Sequence, residues 1–427
     1  MTTSDTEPSP SGVAPLWLTE ITGSRLVDRA GETLGRVEDV IVRLGSDGYP
    51  PVTGLVGRLA GRQLFVPMDR IGEIAHRRAQ LTGERLSLLR FERRQGEVLL
   101  RSDVLGRRVI SVETGRLIIA ADIRLTAARG GWRVAGVDTS SRGARRLLPP
   151  PFNARRHEER HFVDWAQIEP FVGHVPTSRL LMPLLRLRRL HPAEIADIVE
   201  RASHAEGQEI ISAVHADPEL EADVFEELNT EHQVEFLRSR SDAEAAAVLA
   251  GMGADDAADL ITELEQDRRA PILALLPAAK QAKVRALLSY SAESAGGLMS
   301  PDFVAVAEAA TVTEALAAVR AASLSPQVLA DVFVTDASGR LVGAVPLVSL
   351  IQARGNGGVA KLVQRGDTAL EVGDDLPEVA RLMTDFNLSV APVVDEGRRI
   401  IGVISVDDLL EEILPDSWRR RSVADHG

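Results

Sequence analysis

Two groups of carboxylates have the type and spacing to do chemistry. In the segment GADDAADL, Asp255 and Asp259 lie four residues apart with Asp256 beside them, so a helix would place the first and last on one face. Asp408 and Glu411, three residues apart after GVIS, would also share a helical face. Converging carboxylates suit a hard cation such as Mg²⁺. On spacing alone, however, acids at a helix start are more simply explained as caps and partners of the helix dipole.

The chain that carries these acids is long and has a net negative charge. At 427 residues, two to four domains are expected. The net charge of −13 argues against general nucleic-acid binding, because a polyanion would be repelled. Without cysteine, disulfides, thiolate metal sites and cysteine nucleophiles are excluded. The composition favours folded domains in a reducing, cytoplasmic setting.

Catalytic signatures are missing from the sequence. The nine histidines form neither an H-E-x-x-H motif nor a triad pattern, and no phosphate-binding P-loop is present. His157 and His161 share an i,i+4 spacing in an Arg-rich segment, where a solvated loop is the favoured interpretation. We therefore expect a protein that is not an enzyme.

No segment of the sequence is expected to span a membrane or to be a signal peptide. Residues 1–15 lack a basic start and an apolar stretch and predict a flexible tail. No run of about 18 apolar residues occurs. Residues 415–427 predict a second tail, whose short basic run is expected to attract anionic lipid only weakly.

Residues 16–175 predict β-structure. Short Val-, Ile- and Leu-rich runs alternate with glycine-containing turns, and the order GETLGRVEDVIVRL, VTGLVGRL, LFVPMDRIGEI returns in residues 107–125, in WRVAGVD and in HFVDWAQIEPF. The repetition predicts two small barrel-like modules or one duplicated barrel. The phrase G-x-x-L-G-x-V-x-D-V with the later F-V-P resembles the PRC-barrel family. The resemblance implies a docking module for a protein partner, which could be a membrane transporter.

Residues 177–291 predict an α-helical superhelix, and residues 292–414 predict two α/β units. The phrases A-D-I-V at Ala196, A-D-V-F at Ala222 and A-D-L-I at Ala258 each precede a further apolar helix, and such pairs bury their apolar faces by stacking. After residue 292, segments 292–355 and 356–414 each run helix, strand, glycine-bearing turn, strand, helix. The fold class is therefore a multidomain α+β protein.

The last two regions resemble the cytosolic part of MgtE-type magnesium transporters. The resemblance covers residues 179–413 and is carried by the junction LLSYSAESAGGLMSPDFVAV and by APVVDEGRRIIGVISVDDLL. It implies a superhelical N domain followed by a pair of CBS domains, without the membrane pore. It further implies Mg²⁺ bound between the N domain and the CBS pair, with candidate ligands at Asp223, Asp255, Asp259, Asp375, Asp408 and Glu411.

Two departures from the family pattern accompany this metal assignment. Pro377 and Asn387 stand where the family often has acids, so weaker or fewer Mg²⁺ sites are expected. Capping remains the alternative for Asp255 and Asp375, and a solvated helical position for Asp223.

CBS pairs commonly bind adenine nucleotides, and one standard site is retained at most. The second unit keeps the phrase as Gly402, Ser405 and Asp408, where hydroxyl and carboxylate would hold phosphate and ribose. The first unit has Pro346 and Ser349 in place of the hydroxyl and the carboxylate. ATP or another adenine nucleotide is therefore a candidate ligand.

Two functions follow as hypotheses. The first is a Mg²⁺-responsive regulatory protein, not itself a pore, that passes its state to a partner through the PRC-like region. The second is an adenine-nucleotide sensor or scaffold without a metal response. Either would form a homodimer through the CBS domains, without nucleic acid, in the cytoplasm or at the membrane periphery through the partner.

Overall fold

The structure is a computed structural model that describes residues 14–44, 48–59, 61–75, 77–82, 91–94, 96–128, 131–140, 161–170, 187–322, 324, 326, 328–364 and 368–414. The chain divides into two compact units, Met1–Glu221 and Ala222–Gly427. Most of the first predicted tail, the Arg- and Pro-rich segment with His157, and the second tail lie outside the described residues. Among the helices of the described ranges, none combines the length and apolarity that crossing a bilayer requires.

The first half of the β-region forms a seven-stranded sheet. Its strands run in the order β5-β4-β3-β2-β7-β6, with β8 beside β3. The short β1 and helix α1 precede it. The bounds are β1 Leu16–Trp17, α1 Leu18–Ile21, β2 Arg25–Val27, β3 Thr33–Arg43, β4 Val52–Leu59, β5 Arg62–Pro67, β6 Ile71–Ala75, β7 Arg78–Leu81 and β8 Glu97–Leu99.

The second half repeats the first with shorter strands. A four-stranded sheet has the order β1-β11-β12-β13, and a three-stranded sheet has the order β10-β9-β14. The bounds are β9 Arg108–Ser111, β10 Arg116–Ile119, β11 Asp122–Ala128, β12 Gly131–Asp138, β13 Phe162–Asp164 and β14 Ile168–Pro170. In both halves a strand runs into a single 3₁₀ turn and then another strand, as β5–β6 and as β13–β14.

Two buried aspartates tie the halves together reciprocally. Asp39 of β3 accepts hydrogen bonds from the backbone N–H groups of Arg101 and Ser102, at 2.7 and 3.0 Å, where the second half begins. Asp122 of β11 accepts from the N–H and hydroxyl of Thr19, at 3.2 and 2.6 Å, where the first half begins. Each half therefore holds the leading segment of the other.

The two halves also share one hydrophobic core. A single cluster contains Leu26, Val40 and Leu55 of the first half together with Ile123 and Trp165 of the second. Within the described residues, the hydrogen-bonded strand orders stay open rather than closing into a ring. The predicted duplication is thus built as two interlocked sheet systems around a common interior.

Helices α2–α9 follow, and α4 crosses the boundary between the two compact units. Their bounds are α2 Pro192–Arg201, α3 His204–Val214, α4 Pro218–Glu227, α5 Thr230–Arg238, α6 Asp242–Gly251, α7 Ala254–Glu263, α8 Gln266–Leu275 and α9 Ala278–Leu287. In the second unit α5 packs on α7, α6 on α8, and α7 on α9, which is superhelical stacking. Ala196, Ala222 and Ala258 of the repeated phrase are all buried.

The last region contains two sheets of the same design. Each pairs its first two strands in parallel and its last two antiparallel, as β15-β16-β17 and β18-β19-β20. The bounds are α10 Ala295–Leu298, β15 Ala305–Ala307, α11 Val312–Ala321, β16 Asp331–Thr335, β17 Leu341–Pro346, α12 Leu347–Gln352, β18 Leu370–Glu371, α13 Leu376–Phe386, β19 Val390–Val394, β20 Ile400–Ser405 and α14 Val406–Ile413.

The junction before these sheets packs closely on the second of them. Gly296 donates its N–H to the carbonyl of Val372 at 3.0 Å, and a Cβ on Gly296 would meet the ring of Tyr290 at 2.8 Å. Ser300 and Val403 exchange two backbone hydrogen bonds of 2.8 Å. The glycines of the phrase SAGGLM therefore serve close packing of the junction.

We predict that Asp39→Ala destabilises the β-region by about 3 kcal/mol, because it leaves the buried N–H donors that Asp39 binds without an acceptor. Urea unfolding followed by tryptophan fluorescence measures this, since Trp17, Trp132 and Trp165 all lie in that region. Asp69→Ala, at an exposed position of a 3₁₀ turn, is the control. Equal unfolding midpoints for the two variants would contradict the anchoring role.

Candidate functional site

The candidate site starts at the first turn of α7. Gly253 precedes the helix and donates its N–H to the carboxylate of Glu226, near the end of α4. Asp255 and Asp256 follow in the first turn, where free N–H groups and the helix dipole favour negative charge. The local sequence thus gathers three carboxylates around one helix start.

Burial and mutual repulsion raise the pKa values of these acids. Burial raises the pKa of Asp255 from 3.8 to about 6, and the negative charges of Asp408 and Asp302 add to the rise. Burial also raises the pKa of Asp256 well above its usual range, with further contributions from Asp255 and Glu226. Ionisation of the cluster at neutral pH is therefore unfavourable in free energy.

Asp259 lies one turn further along α7. Desolvation, followed by the charges of Glu412 and Asp255, raises its pKa to about 6. Its side chain is nevertheless exposed, so water screens this effect more than it does at Asp255. Asp255 and Asp259, which their spacing predicts on one helical face, thus influence each other's charge in the structure.

The second group of acids belongs to α14 and contributes to the same cluster. Asp408 is partly buried, and burial raises its pKa despite two hydrogen bonds with Ser405 that lower it. Glu411 contributes to the raised pKa of Asp256, and Glu412 to that of Asp259. The structure therefore brings together the acids of α7 and α14, which the family resemblance had assigned to opposite sides of one site.

Two other predicted ligands have different positions. Burial raises the pKa of Glu226, and the charge of Asp223, one turn before it on α4, adds to that rise, so Asp223 lies at the edge of the cluster. Asp375 caps α13 by accepting the N–H of Glu378 at 3.0 Å, and it is not among the strongest influences on Asp255 or Asp256. The contacts of Asp375 are thus those of a helix cap, the alternative considered for it in the sequence.

Sequence reasoning did not single out four charged residues of this cluster. They are Glu226, Lys280, Asp302 and Glu412. Lys280 donates to the carbonyl of Met252, and Lys283, one turn further along α9, forms an ion pair with Asp302. The i,i+3 spacing of Asp223 and Glu226 and the i,i+4 spacing of Asp408 and Glu412 are visible in the sequence. Lys280 and Asp302 meet the other residues only in the folded chain.

The arrangement can attract a cation without forming a cage around it. Within the described ranges, no three acidic or histidine side chains converge closely enough to hold a metal ion directly. Mg²⁺ fits such an open site, since it keeps several of its waters and takes one or two carboxylates. The acids of the cluster could hold its hydrated form from both sides.

The predicted nucleotide residues all have structural roles. Ser405 and Asp408 form a reciprocal cap, with Ser405 Oγ accepting the N–H of Asp408 at 3.2 Å and Asp408 accepting that of Ser405 at 3.1 Å. A Cβ on Gly402 would lie 2.6 Å from Met299 Sδ, so the junction needs a glycine there. Nucleotide binding by these residues stays a prediction.

The departures from the family pattern have local explanations. Asn387 ends α13 in the left-handed region at φ 50°, which asparagine tolerates better than most residues. Pro377 lies in the first turn of the same helix, where its missing N–H costs nothing. Pro346 lines a cleft between the two sheets with Asp331, Thr368 and residues of β19.

Comparisons with known proteins define the class of the helical and C-terminal regions. Residues 190–293 match the family model of the MgtE intracellular N domain, and residues 295–356 and 360–415 match the CBS domain. The chain therefore contains an MgtE N domain followed by a CBS pair, homologous to the cytosolic domains of MgtE.

Individual relatives agree with this class. The magnesium transporter MgtE of Thermus thermophilus is 34% identical over 193 residues, which are 44% of this chain and 43% of the relative. The MgtE of Bacillus subtilis is 25% identical over 195 residues, 46% and 43% of the two chains. The chain thus spans less than half the length of these relatives.

A solved structure of the cytosolic domain of the Mg²⁺ channel MgtE in complex with ATP is also similar. It is 30% identical, with a TM-score of 0.49, and the match covers 53% of this chain and 92% of that one.

We predict that acidification compacts the metal-free protein. In the packed state α7 lies against α14, and in an open state the two helices would separate. Because the pKa of Asp255 is raised only in the packed state, that state binds more protons than the open state between about pH 4 and 6. This stabilisation is complete below about pH 4 and is lost as pH rises through about 6. Small-angle scattering in EDTA should give a smaller radius of gyration at pH 5 than at pH 7.5.

The double variant Asp255→Asn, Asp259→Asn should lose part of this pH response, because neither amide titrates, while Asp256 and Asp408 still do. Asp197→Asn is a matched control, since Asp197 occupies the position of the repeated phrase that Asp259 occupies in α7. A double variant that still compacts as much as the wild type would place the titration elsewhere.

Proposed function

We propose that the protein is a Mg²⁺-responsive regulatory module. The observation that carries the proposal is the cluster of partly desolvated carboxylates. In it, the negative charges of Asp408 and Glu411 on α14 repel those of Asp255 and Asp256 on α7. Two elements that repel one another at neutral pH need a cation to stay packed.

The response follows from a two-state balance. Without divalent cation, repulsion favours separation of α7 from α14. Hydrated Mg²⁺ between them offsets that repulsion and favours the packed state, to the extent that it binds this state more tightly. The open geometry implies weak sites, which suits a sensor of millimolar rather than trace cation.

Similarity to magnesium transporters supports the choice of Mg²⁺ as the signal. The relatives named as MgtE magnesium transporters share the N domain and the CBS pair with this chain. Because the chain matches less than half of those proteins, transport itself is not part of the proposal. The β-region would pass the state on to an intracellular protein partner.

We predict that millimolar Mg²⁺ reduces the radius of gyration and protects residues 291–306 from protease. The double variant Asp255→Asn, Asp259→Asn should lose most of this Mg²⁺-dependent change, because the lost carboxylates supply both the repulsion that opens the cluster and ligands for the ion. Small-angle scattering during a Mg²⁺ titration measures both, with Asp197→Asn as the matched control.

Identical scattering in Mg²⁺ and in EDTA would overturn the proposal. The second candidate function, an adenine-nucleotide sensor, is supported by the CBS pair. Calorimetric ATP binding that persists in the double aspartate variant, without any Mg²⁺-dependent compaction, would favour that candidate.

The second part of the proposal is a homodimer formed through the CBS helices. Ile351 of α12 and Leu410 of α14 hold equivalent positions in the two CBS repeats, and their exposed fractions are 66% and 44%. Each directly follows a buried leucine, Leu350 or Leu409. Val348 and Ile413 add to this exposed apolar surface, and burying it against a second copy would remove it from water.

We predict that the protein is a dimer at micromolar concentration and that Ile351→Glu with Leu410→Glu makes it a monomer, because burying two carboxylates in an apolar interface is costly. Light scattering coupled to size exclusion measures this. Leu275→Glu, at an exposed leucine of α8, is the control. A wild-type monomer would contradict this assignment.

A further inference from the structure

The lysines of this chain are unusual in number and place. Only three of its 49 lysine and arginine residues are lysines, namely Lys280, Lys283 and Lys361. Two of them lie one turn apart on α9, beside the carboxylate cluster. Apart from Lys361, the rest of the chain uses arginine for the positive charge of long side chains, so two of the three lysine ammonium groups lie beside the acids.

Lys280 is directed into the cluster by a fixed contact. Its Nζ donates to the carbonyl of Met252, next to the glycine that begins α7. From there its charge acts on Asp255, Asp302 and Glu226. Lys283 is engaged by Asp302, so Lys280 is the cation that faces α7.

We propose that the ammonium group of Lys280 partly replaces the divalent ion in the metal-free protein by neutralising some of the negative charge of the cluster. The proposal rests on the proposed Mg²⁺ response. Lys280 offsets enough repulsion to keep α7 close to its neighbours without metal, and Mg²⁺ binding makes its charge unnecessary. The metal-free protein is thereby held partly packed rather than fully open.

The chemistry of lysine suits this role better than that of arginine. An ammonium group is a compact, strongly hydrated point charge on a flexible stem, and it can withdraw when a divalent cation arrives. A guanidinium would form planar two-point pairs with carboxylates that resist displacement. Half-burial of Lys280 lowers its pKa, while the three carboxylates act against that change.

Hydrogen exchange of the full chain at one fixed pH tests the proposal. In EDTA, amides of α7 and of residues 287–306 should exchange about tenfold faster in Lys280→Met than in the wild type, because unscreened repulsion opens the cluster more often. At saturating Mg²⁺ the two proteins should exchange alike. Lys280→Arg should resemble the wild type in EDTA, and Lys361→Met is the control for loss of a lysine elsewhere.

Each outcome decides the question. Equal exchange of Lys280→Met and Lys361→Met in EDTA would overturn the role of Lys280, even if Mg²⁺ protects every variant. Fast exchange of Lys280→Met that Mg²⁺ does not restore would also overturn it, since the defect would then be lost packing. Absence of Mg²⁺ protection in all proteins would overturn the proposed function, while the comparison in EDTA would still decide whether Lys280 restrains the cluster.

Discussion

Repulsion between carboxylates in a partly desolvated setting is the constraint on which the second unit depends. Asp255 and Asp256 follow a helix start that stabilises negative charge, yet they are surrounded by Glu226, Asp302 and Asp408. Packing alone would normally exclude such a group, since each buried charge needs a partner. The cluster is therefore an arrangement whose stability is set by what supplies positive charge: protons, the ammonium of Lys280, or a divalent cation.

Buried acids in the β-region are stabilised differently, by hydrogen-bond donors instead of positive charge. Asp39 is 2% exposed, and it accepts three backbone N–H groups and the hydroxyl of Ser102. Fully satisfied carboxylates fix structure, because every lone pair has a donor and no alternative geometry is equally good. The same residue type is thus fully hydrogen-bonded in one unit and surrounded by like charges in the other.

The sequence predicted the repeated helices of this protein and, through the family resemblance, the acids of α7 and α14, but it did not predict the residues that surround those acids. The phrases at Ala196, Ala222 and Ala258 predicted stacked helices, because buried alanines and apolar neighbours recur at a fixed helical position. Glu226 and Lys280 could not be found this way, since they meet Asp255 only through packing of α4 and α9 against α7. Gly402 was explained through a nucleotide motif, whereas its contact with Met299 is visible only in three dimensions.

The helical repeat places the same residue type in different electrostatic surroundings. Asp197, Asp223 and Asp259 occupy the same position of the repeated phrase in α2, α4 and α7. Asp197 forms an ion pair with Arg201 one turn away, which is a common surface pairing of small energetic value. Asp259 instead has Glu412, Asp255 and Glu263 as its strongest electrostatic neighbours. The helical position is therefore provided by the fold, and its electrostatic surroundings differ between the repeats, with a basic neighbour beside Asp197 and acidic neighbours beside Asp259.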